Sequence, residues 1–312
     1  MRFMSAVLVG LAVWMGFGWS GIVPSKPAPA RAEGVRPALT TPAQPAIWRV
    51  AKDGQQGWLF GTMHALPDVT WKTATIEGAI READVFVFEL EIDRVDLSRV
   101  RELVLKYGFI EDGRTLPDIV NARRWAQVAD LAAGLGLARD EIAALLPMRP
   151  WYASLYLTNR FFSNEGFAAG RGVEESLLAD LRAGNRRTMS LETAEQQLAF
   201  LDGLSEPIQV AMLEATVRDL REKPDIARDM LRHWAGGDTQ QLADLLNDAL
   251  KDYPEAYDAL LVARNRAWIP AIMDLMASGQ TIFVAVGAGH LVGRDSVVAL
   301  LEAQGYQVNR AY

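Results

Sequence analysis

Residues 281–312, TIFVAVGAGHLVGRDSVVALLEAQGYQVNRAY, constrain the fold more than any other part of the chain. They read as an apolar strand (TIFVAV), a glycine-rich turn (GAGH), a helix (SVVALLEAQ) stopped by Gly305, and a second strand (YQVNRAY). A strand–helix–strand unit is the signature of a parallel or mixed sheet, because antiparallel neighbours are joined by short turns instead. The first of these strands is an apolar, β-branched and aromatic run, which suits a buried position.

Upstream, Trp48–Ala51 and Trp58–Phe60 read as two short strands. Asp53-Gly54 lies between them, which predicts a hairpin. A helix is expected around Thr75 to Ala83, then a strong strand signal at Val85–Leu90. From about Leu97 to Gln280 apolar residues recur at three- and four-residue spacing, the period of a helix. One short exception is Thr188–Leu191, a strand candidate after the Gly184-Asn185 helix stop. The expected fold is α/β, with a mixed or mainly parallel central sheet and a large helical insertion or cap at about 97–280. Residues 47–312 form the single expected domain. At 50% hydrophobic content over 312 residues, the chain has enough apolar surface for a substantial core.

The N-terminus carries a different signal. Arg2 precedes an apolar run from Phe3 to Trp19, then a Pro-rich spacer and Ala30-Arg31-Ala32. This pattern is that of a secretory signal cleaved after Ala32, which predicts a periplasmic or secreted protein. The other reading of the run is an uncleaved membrane anchor, the one route to a membrane that the sequence offers. Residues 33–46 read as a flexible lead-in, rich in Pro and small residues. Without residues 1–32 the chain has 29 basic and 39 acidic residues, a net charge of −10. That balance excludes a broad basic surface for nucleic acid. There is no cysteine, so disulfides and thiolate metal sites are excluded.

Two distant segments share a pattern: WLFGTMHAL (58–66) and VAVGAGHLV (284–292). Each is an apolar strand followed by Gly-x-x-His and an apolar pair. Gly61 and Gly287 open the two turns, and His64 and His290 close them. Gly289 adds a further glycine to the second turn. Glycine suits a chain that turns sharply or lets backbone approach another group. Glu89 ends the Val85–Leu90 strand, and Glu192 ends Thr188–Leu191. Crevices beyond the carboxyl ends of such strands are where α/β sheets bind ligands. Two imidazoles and a carboxylate suit a divalent transition metal with a position left open for water.

Each residue also has an ordinary explanation. A single histidine after a strand is more often a hydrogen-bonded turn residue than a ligand, and it is the repetition that points to a site. Glu89 would be a strand-end carboxylate paired with a basic residue, and Glu192 a charge at the start of the following helix. Arg264 and Asn265 lie on a helical stretch. An arginine fork there is aimed at a carboxylate or at a developing oxyanion. His233, near a helix end, reads as structural. The nine tryptophans fit an aromatic groove or a helical core equally well.

In order and spacing, WLFGTMHALP, VFELE, RGVEESL, SLETAEQQLAFLDGL, RNRAW and VAVGAGHLVGRDSVVALLEAQGYQV resemble the TraB/PrgY/GumN family. That family includes the TIKI metalloproteases of animal membranes. The resemblance runs from about Trp48 to Arg310. It matches the paired Gly-x-x-His motifs to Gly61/His64 and Gly287/His290, the acidic strand end to Glu89, and the Arg-Asn helix motif to Arg264/Asn265. A Gly-Val-Asp motif falls on Gly172-Val173-Glu174, with Glu in place of Asp. The resemblance implies a peptidase activity that depends on a divalent metal.

The expected function is therefore an exported, metal-dependent hydrolase acting on a peptide or small-molecule substrate. Mn, Co or Zn would be held by His64 and His290, with Glu89 as third ligand or general base. Arg264 would stabilise an oxyanion and Asn265 would orient a partner. Glu192 and Glu174 would be supporting residues or accessory ligands. Two alternatives stand beside it: a metal-independent hydrolase using His64 and Glu89 as acid–base partners, and a non-catalytic binder of a peptide or haem-like ligand.

Overall fold

A computed structural model describes residues 42–91, 96–167, 170–247 and 250–312. The expected signal segment, 1–32, and most of the lead-in lie outside them. Residues 43 to 46 do not hang free: Ala43 and Ala46 are buried, and Gln44 N donates to Ala235 O.

The sheet has six strands: β1 (Ile47–Lys52), β2 (Gln55–Thr62), β3 (Val85–Phe88), β4 (Arg187–Ser190), β5 (Ile282–Gly287) and β6 (Gln307–Arg310). Their spatial order is β4-β3-β5-β2-β1-β6. β4, β3, β5 and β2 are parallel neighbours, and β1 runs antiparallel to both β2 and β6. The sheet is thus mixed and mainly parallel, as the terminal strand–helix–strand unit demands. β5 and β6 point the same way, with β2 and β1 between them.

Residue chemistry accounts for the order. β3 (VFVF) and β5 (IFVAVG) are buried at every position, so both faces are covered and no polar alternation appears. β4 (RTMS) and β6 (QVNR) are short, polar and partly exposed, which suits sheet edges. β1 and β2 are joined at Asp53-Gly54, whose φ values of 49° and 81° are those of a two-residue primed turn. Lys52 faces Gln55 across this turn, and the register runs on to Ile47 opposite Phe60.

The helical region is interrupted at the Thr188–Leu191 strand candidate, where β4 runs from Arg187 to Ser190. β4 divides it into two insertions, one between β3 and β4 and one between β4 and β5. They pack on each other through helix Pro150–Asn164 against Glu206–Glu222, and Leu97–Gly108 against Ala194–Asp202. A buried Ser154–Thr216 hydroxyl pair at 2.7 Å lies within the first contact. Eleven of the fifteen residues of Pro150–Asn164 are buried, so its apolar character runs round the helix. Trp151, Trp234 and Trp268 are among the largest fully buried side chains, which places these tryptophans in the core. Among the described residues no helix is long and apolar enough to cross a membrane.

Phe283 is the second residue of β5, fully buried between Phe60 (centroids 5.9 Å) and Phe86 (5.7 Å). Phe283→Ala is expected to cost about 3–5 kcal/mol, from lost transfer energy and the cavity left behind. The urea midpoint of unfolding checks this.

Candidate functional site

The four parallel strands end at one edge of the sheet, and each delivers one polar residue there. In spatial order these are Glu192 after β4, Glu89 after β3, His290 after β5 and His64 after β2. All four are buried, with 6–8% of their surface exposed.

The glycines let these ends approach. The φ values of Gly61, Gly287 and Gly289 are not positive, so their role is space rather than a left-handed turn. A Cβ on Gly61 would meet Ala288 Cα at 3.1 Å, so the two Gly-x-x-His segments touch. A Cβ on Gly287 would meet Glu89 Oε1 at 3.1 Å and His64 Nε2 at 3.3 Å, with His290 Cδ2 at 3.7 Å. The space above Gly287 is therefore a cradle bounded by the three groups named as the candidate centre. Gly289 leaves room for Asn247 Oδ1 at 3.4 Å.

Both imidazoles are held from behind. Asn265 Nδ2 donates to Asp295 O (2.8 Å), so its Oδ1 must face His290 Nδ1, 2.6 Å away. His290 Nδ1 then carries the hydrogen, and Nε2 is left as a lone pair 3.7 Å from Glu89 Oε1. Burial pushes the His290 pKa down to about 3, with Arg264 and His64 adding to the effect and Glu89 opposing it. His64 Nδ1 lies 2.7 Å from Glu174 Oε1, an ion-pair distance without the alignment of a hydrogen bond. Thr62 Oγ1 also donates to Glu174 Oε1. Burial acts against charge on His64, but Glu174, Glu89 and Glu175 outweigh it and raise its pKa to about 9. Glu175 is itself pushed up to about 7 by burial and by Glu174.

Glu89 is held as an anion. Burial opposes its ionisation, yet His290, Arg264, His64 and the Gly287 N–H together lower its pKa to about 2. Its two oxygens have separate partners. Oε1 accepts from Gly287 N (2.7 Å) and faces the cradle, while Oε2 accepts from Arg264 Nη2 (2.7 Å).

Several expected roles change on this geometry. Arg264 is 2% exposed and donates to Glu89, to both oxygens of Glu192 (2.8 Å each) and to Leu260 O. It is a clamp between carboxyl groups, so the oxyanion role expected of it finds no support. Leu260 belongs to a π turn, Asp258–Val262, that opens the helix just before Arg264. Glu192 does not cap the next helix, which Thr193 caps. It lies behind Arg264, also held by Trp268 Nε1 (2.9 Å) and Gln197 Nε2 (3.0 Å), and acts on Glu89 through the arginine. Glu174 contacts His64 on the nitrogen opposite the cradle, so it orients that ring instead of joining the shared face. His233 pairs with Asp238 at 3.4 Å, apart from this set.

Sequence reasoning missed Thr62, Gln197, Asn247, Trp268 and Asp295. Each acts across at least five positions of chain; all but Asn247 lie within the quoted family segments, but nothing in those segments names their partners. Trp268 adds a ring packed at 4.5 Å against His290, four residues after Arg264 on the same helix face.

The profile of the TraB/PrgY/gumN family matches residues 46–310. The chain belongs to this family. It is 21% identical to the uncharacterized protein YbaP of Shigella flexneri, over 82% of this chain and 92% of that protein. An uncharacterized protein of Treponema pallidum (strain Nichols) is 23% identical over 67% of this chain and 65% of its own length, just under two thirds. A metalloprotease TIKI homolog of Amphimedon queenslandica is 42% identical over 53 residues, 16% of this chain and 10% of that protein. No solved structure matches.

The donor chemistry of the cradle, two imidazoles and a carboxylate, is of a type that suits a divalent metal. His290 Nδ1 is hydrogen-bonded to Asn265 Oδ1, the arrangement that orients an imidazole ligand, His64 Nδ1 is ion-paired with Glu174, and an ionised carboxylate oxygen faces the same cradle. Among the described residues, however, no three His, Asp or Glu side chains stand as an already closed cage. His290 Nε2 and Glu89 Oε1, at 3.7 Å, are slightly farther apart than the ~3.4 Å edge of a tetrahedron with ligand bonds of about 2.1 Å.

The titrations set a pH window for chelator-treated protein. Glu89 and His290 have folded pKa values below their ordinary 4.5 and 6.5, so their contribution is lost as pH falls from about 6.5 towards 2. His64 is raised from 6.5, so its contribution is complete below 6.5 and lost as pH rises through about 9. Glu175, raised from 4.5 to about 7, contributes stability that is lost as pH rises over that interval, so thermal unfolding should show a broad maximum between about 4.5 and 6.5. Glu174→Gln should abolish the alkaline decline, since burial then governs His64. Arg264→Leu strands two buried carboxyl groups and should cost about 3–5 kcal/mol by chemical denaturation.

Proposed function

We propose that this chain is an exported, divalent-metal-dependent hydrolase acting on a peptide. One observation carries the reading: two imidazoles 226 positions apart bring their surroundings to one cradle, where Glu89 Oε1 lies between Gly287 N–H and His290 Nε2. Membership of the family, and the short match to a TIKI metalloprotease homolog, support it.

His64 Nε2, His290 Nε2 and Glu89 Oε1 would hold the metal. Bound there, Mn, Co or Zn would act as a Lewis acid and make hydroxide available near neutral pH. Between the two roles expected of Glu89, its low pKa favours that of ligand. A carboxyl ionising near 2 is a good ligand and a poor proton acceptor at neutral pH. Arg264 keeps that carboxylate ionised, Glu192 holds Arg264 in place, and Asn265 keeps His290 in the tautomer whose Nε2 is free. His64 must release its Nε2 proton to act as a ligand, so metal affinity should rise with pH.

A second reading rests on the raised pKa of His64. Charged up to about pH 9 and close to Glu89, His64 would serve as general acid in a metal-independent hydrolysis. Its signature is activity that survives chelation, with an alkaline limb near 9.

The deciding experiment purifies the protein in buffer supplemented with Mn, Co or Zn. Metal content and peptide hydrolysis are then measured before and after chelation. Wild type should retain metal, and His64→Ala and His290→Ala should each lower retention and hydrolysis about 100-fold or more. Wild type that holds no metal and gains nothing from its addition contradicts the proposal. For the exported form, N-terminal sequencing should begin at Glu33.

A further inference from the structure

We propose that Asn247 is a positioning residue for the His290 turn, holding it in the place where the imidazole meets Glu89. No motif marks this residue. It caps the C-terminus of helix Thr239–Leu246, and its own N–H returns to Ala243 O. Its side chain is 4% exposed. Nδ2 donates to two carbonyls, Gly289 O at 3.0 Å and Val292 O at 2.8 Å. These lie on either side of His290 in the chain, so one amide spans the turn that carries the imidazole. An amide nitrogen has two hydrogens, and both are used here.

The surroundings are built to admit that amide. Gly289 has no Cβ to meet Asn247 Oδ1, and a Cβ on Gly293 would lie 3.3 Å from Asn247 Nδ2. Gly293 has φ +86°, a left-handed conformation that glycine adopts without strain. Together with the Asn265 bond to Nδ1, the His290 ring is fixed through its side chain on one side and through its backbone on the other.

The first histidine turn has a matching support. Trp234 Nε1 donates to Gly61 O at 2.8 Å, fully buried. Trp234 lies on helix Ile226–Ala235, which packs on Thr239–Leu246. One helical pair therefore bonds to the backbone of both Gly-x-x-His segments. It acts as a brace across the ends of β2 and β5, and Asn247 is its contact at the His290 end.

The side chain matters here for its hydrogens. Asn247→Asp keeps the size and shape but has no N–H, and it sets an oxygen against two carbonyl oxygens. The test reads the imidazole resonances of chelator-treated protein by ¹⁵N-correlated NMR. The chain has three histidines, so each signal is assignable by single substitution. In Asn247→Asp the His290 signals should shift or broaden, while those of His64 and His233 stay at their wild-type positions. Should that variant fail to fold, Asn247→Ser removes both bonds without adding charge and is read the same way. His290 signals unchanged in a folded variant overturn the proposal, and so does an equal shift of all three histidines, which reports general loosening.

This readout needs neither metal nor substrate, so it stands apart from the proposed hydrolase. If that reading also holds, Co(II) affinity should fall about 10–100-fold, as for other residues that orient ligands. A selective His290 shift in a protein that binds no metal would keep the brace and remove the hydrolase.

Discussion

Glu89 is an anion at the end of a strand buried on both faces, and the site follows from how that charge is met. An unpaired carboxylate there would be strongly unfavourable. Arg264 meets one oxygen and Gly287 N–H meets the other, with the charge on His64 acting from nearby. Arg264 is buried in turn and needs more than one partner, which brings in Glu192, Gln197 and Trp268. The ion pair is thus embedded in a network in which each member is bonded, the condition under which buried charges are tolerated.

That network ties the fold to the site. Its members come from β3, from the end of β4 and from the helix before β5, so it closes only when three separate parts of the chain are in place. The two helical insertions serve this closure. The second carries Arg264 and Asn265 at one end and the Trp234–Asn247 brace in its middle. The carboxyl groups outnumber Arg264, and the proton on His64 offsets part of that negative excess. A bound cation would supply the same charge in place of the proton.

The central sheet was legible because its strands are extreme in composition. VFVF and IFVAV have no polar alternation, and Asp53-Gly54 permits few turns other than the one observed. The two histidines were legible through their repeated Gly-x-x-His context. The repeat also explained more than expected, since Gly61 and Ala288 bring the two segments into contact. What could not be read is the pairing of side chains over long separations. Arg264 meets Glu89 across 175 positions and Thr62 meets Glu174 across 112. The choice between oxyanion and carboxylate as the arginine's partner depends on burial, which the 3.6-residue pattern does not report. The division of the helical region by β4, in contrast, was legible at Thr188–Leu191 through the Gly184-Asn185 helix stop, one residue from the observed Arg187–Ser190. Asn247 had no signal at all, because an asparagine at a helix end is common and its partners are backbone atoms.

The central claim is that His64, His290 and Glu89 share one ion. X-ray absorption spectroscopy of the cobalt-loaded protein tests it most directly. The account predicts two imidazole nitrogens and at least one carboxylate oxygen around the metal, with one imidazole lost in His64→Ala and one in His290→Ala. A spectrum with no imidazole scattering, or one unchanged by either substitution, would contradict it.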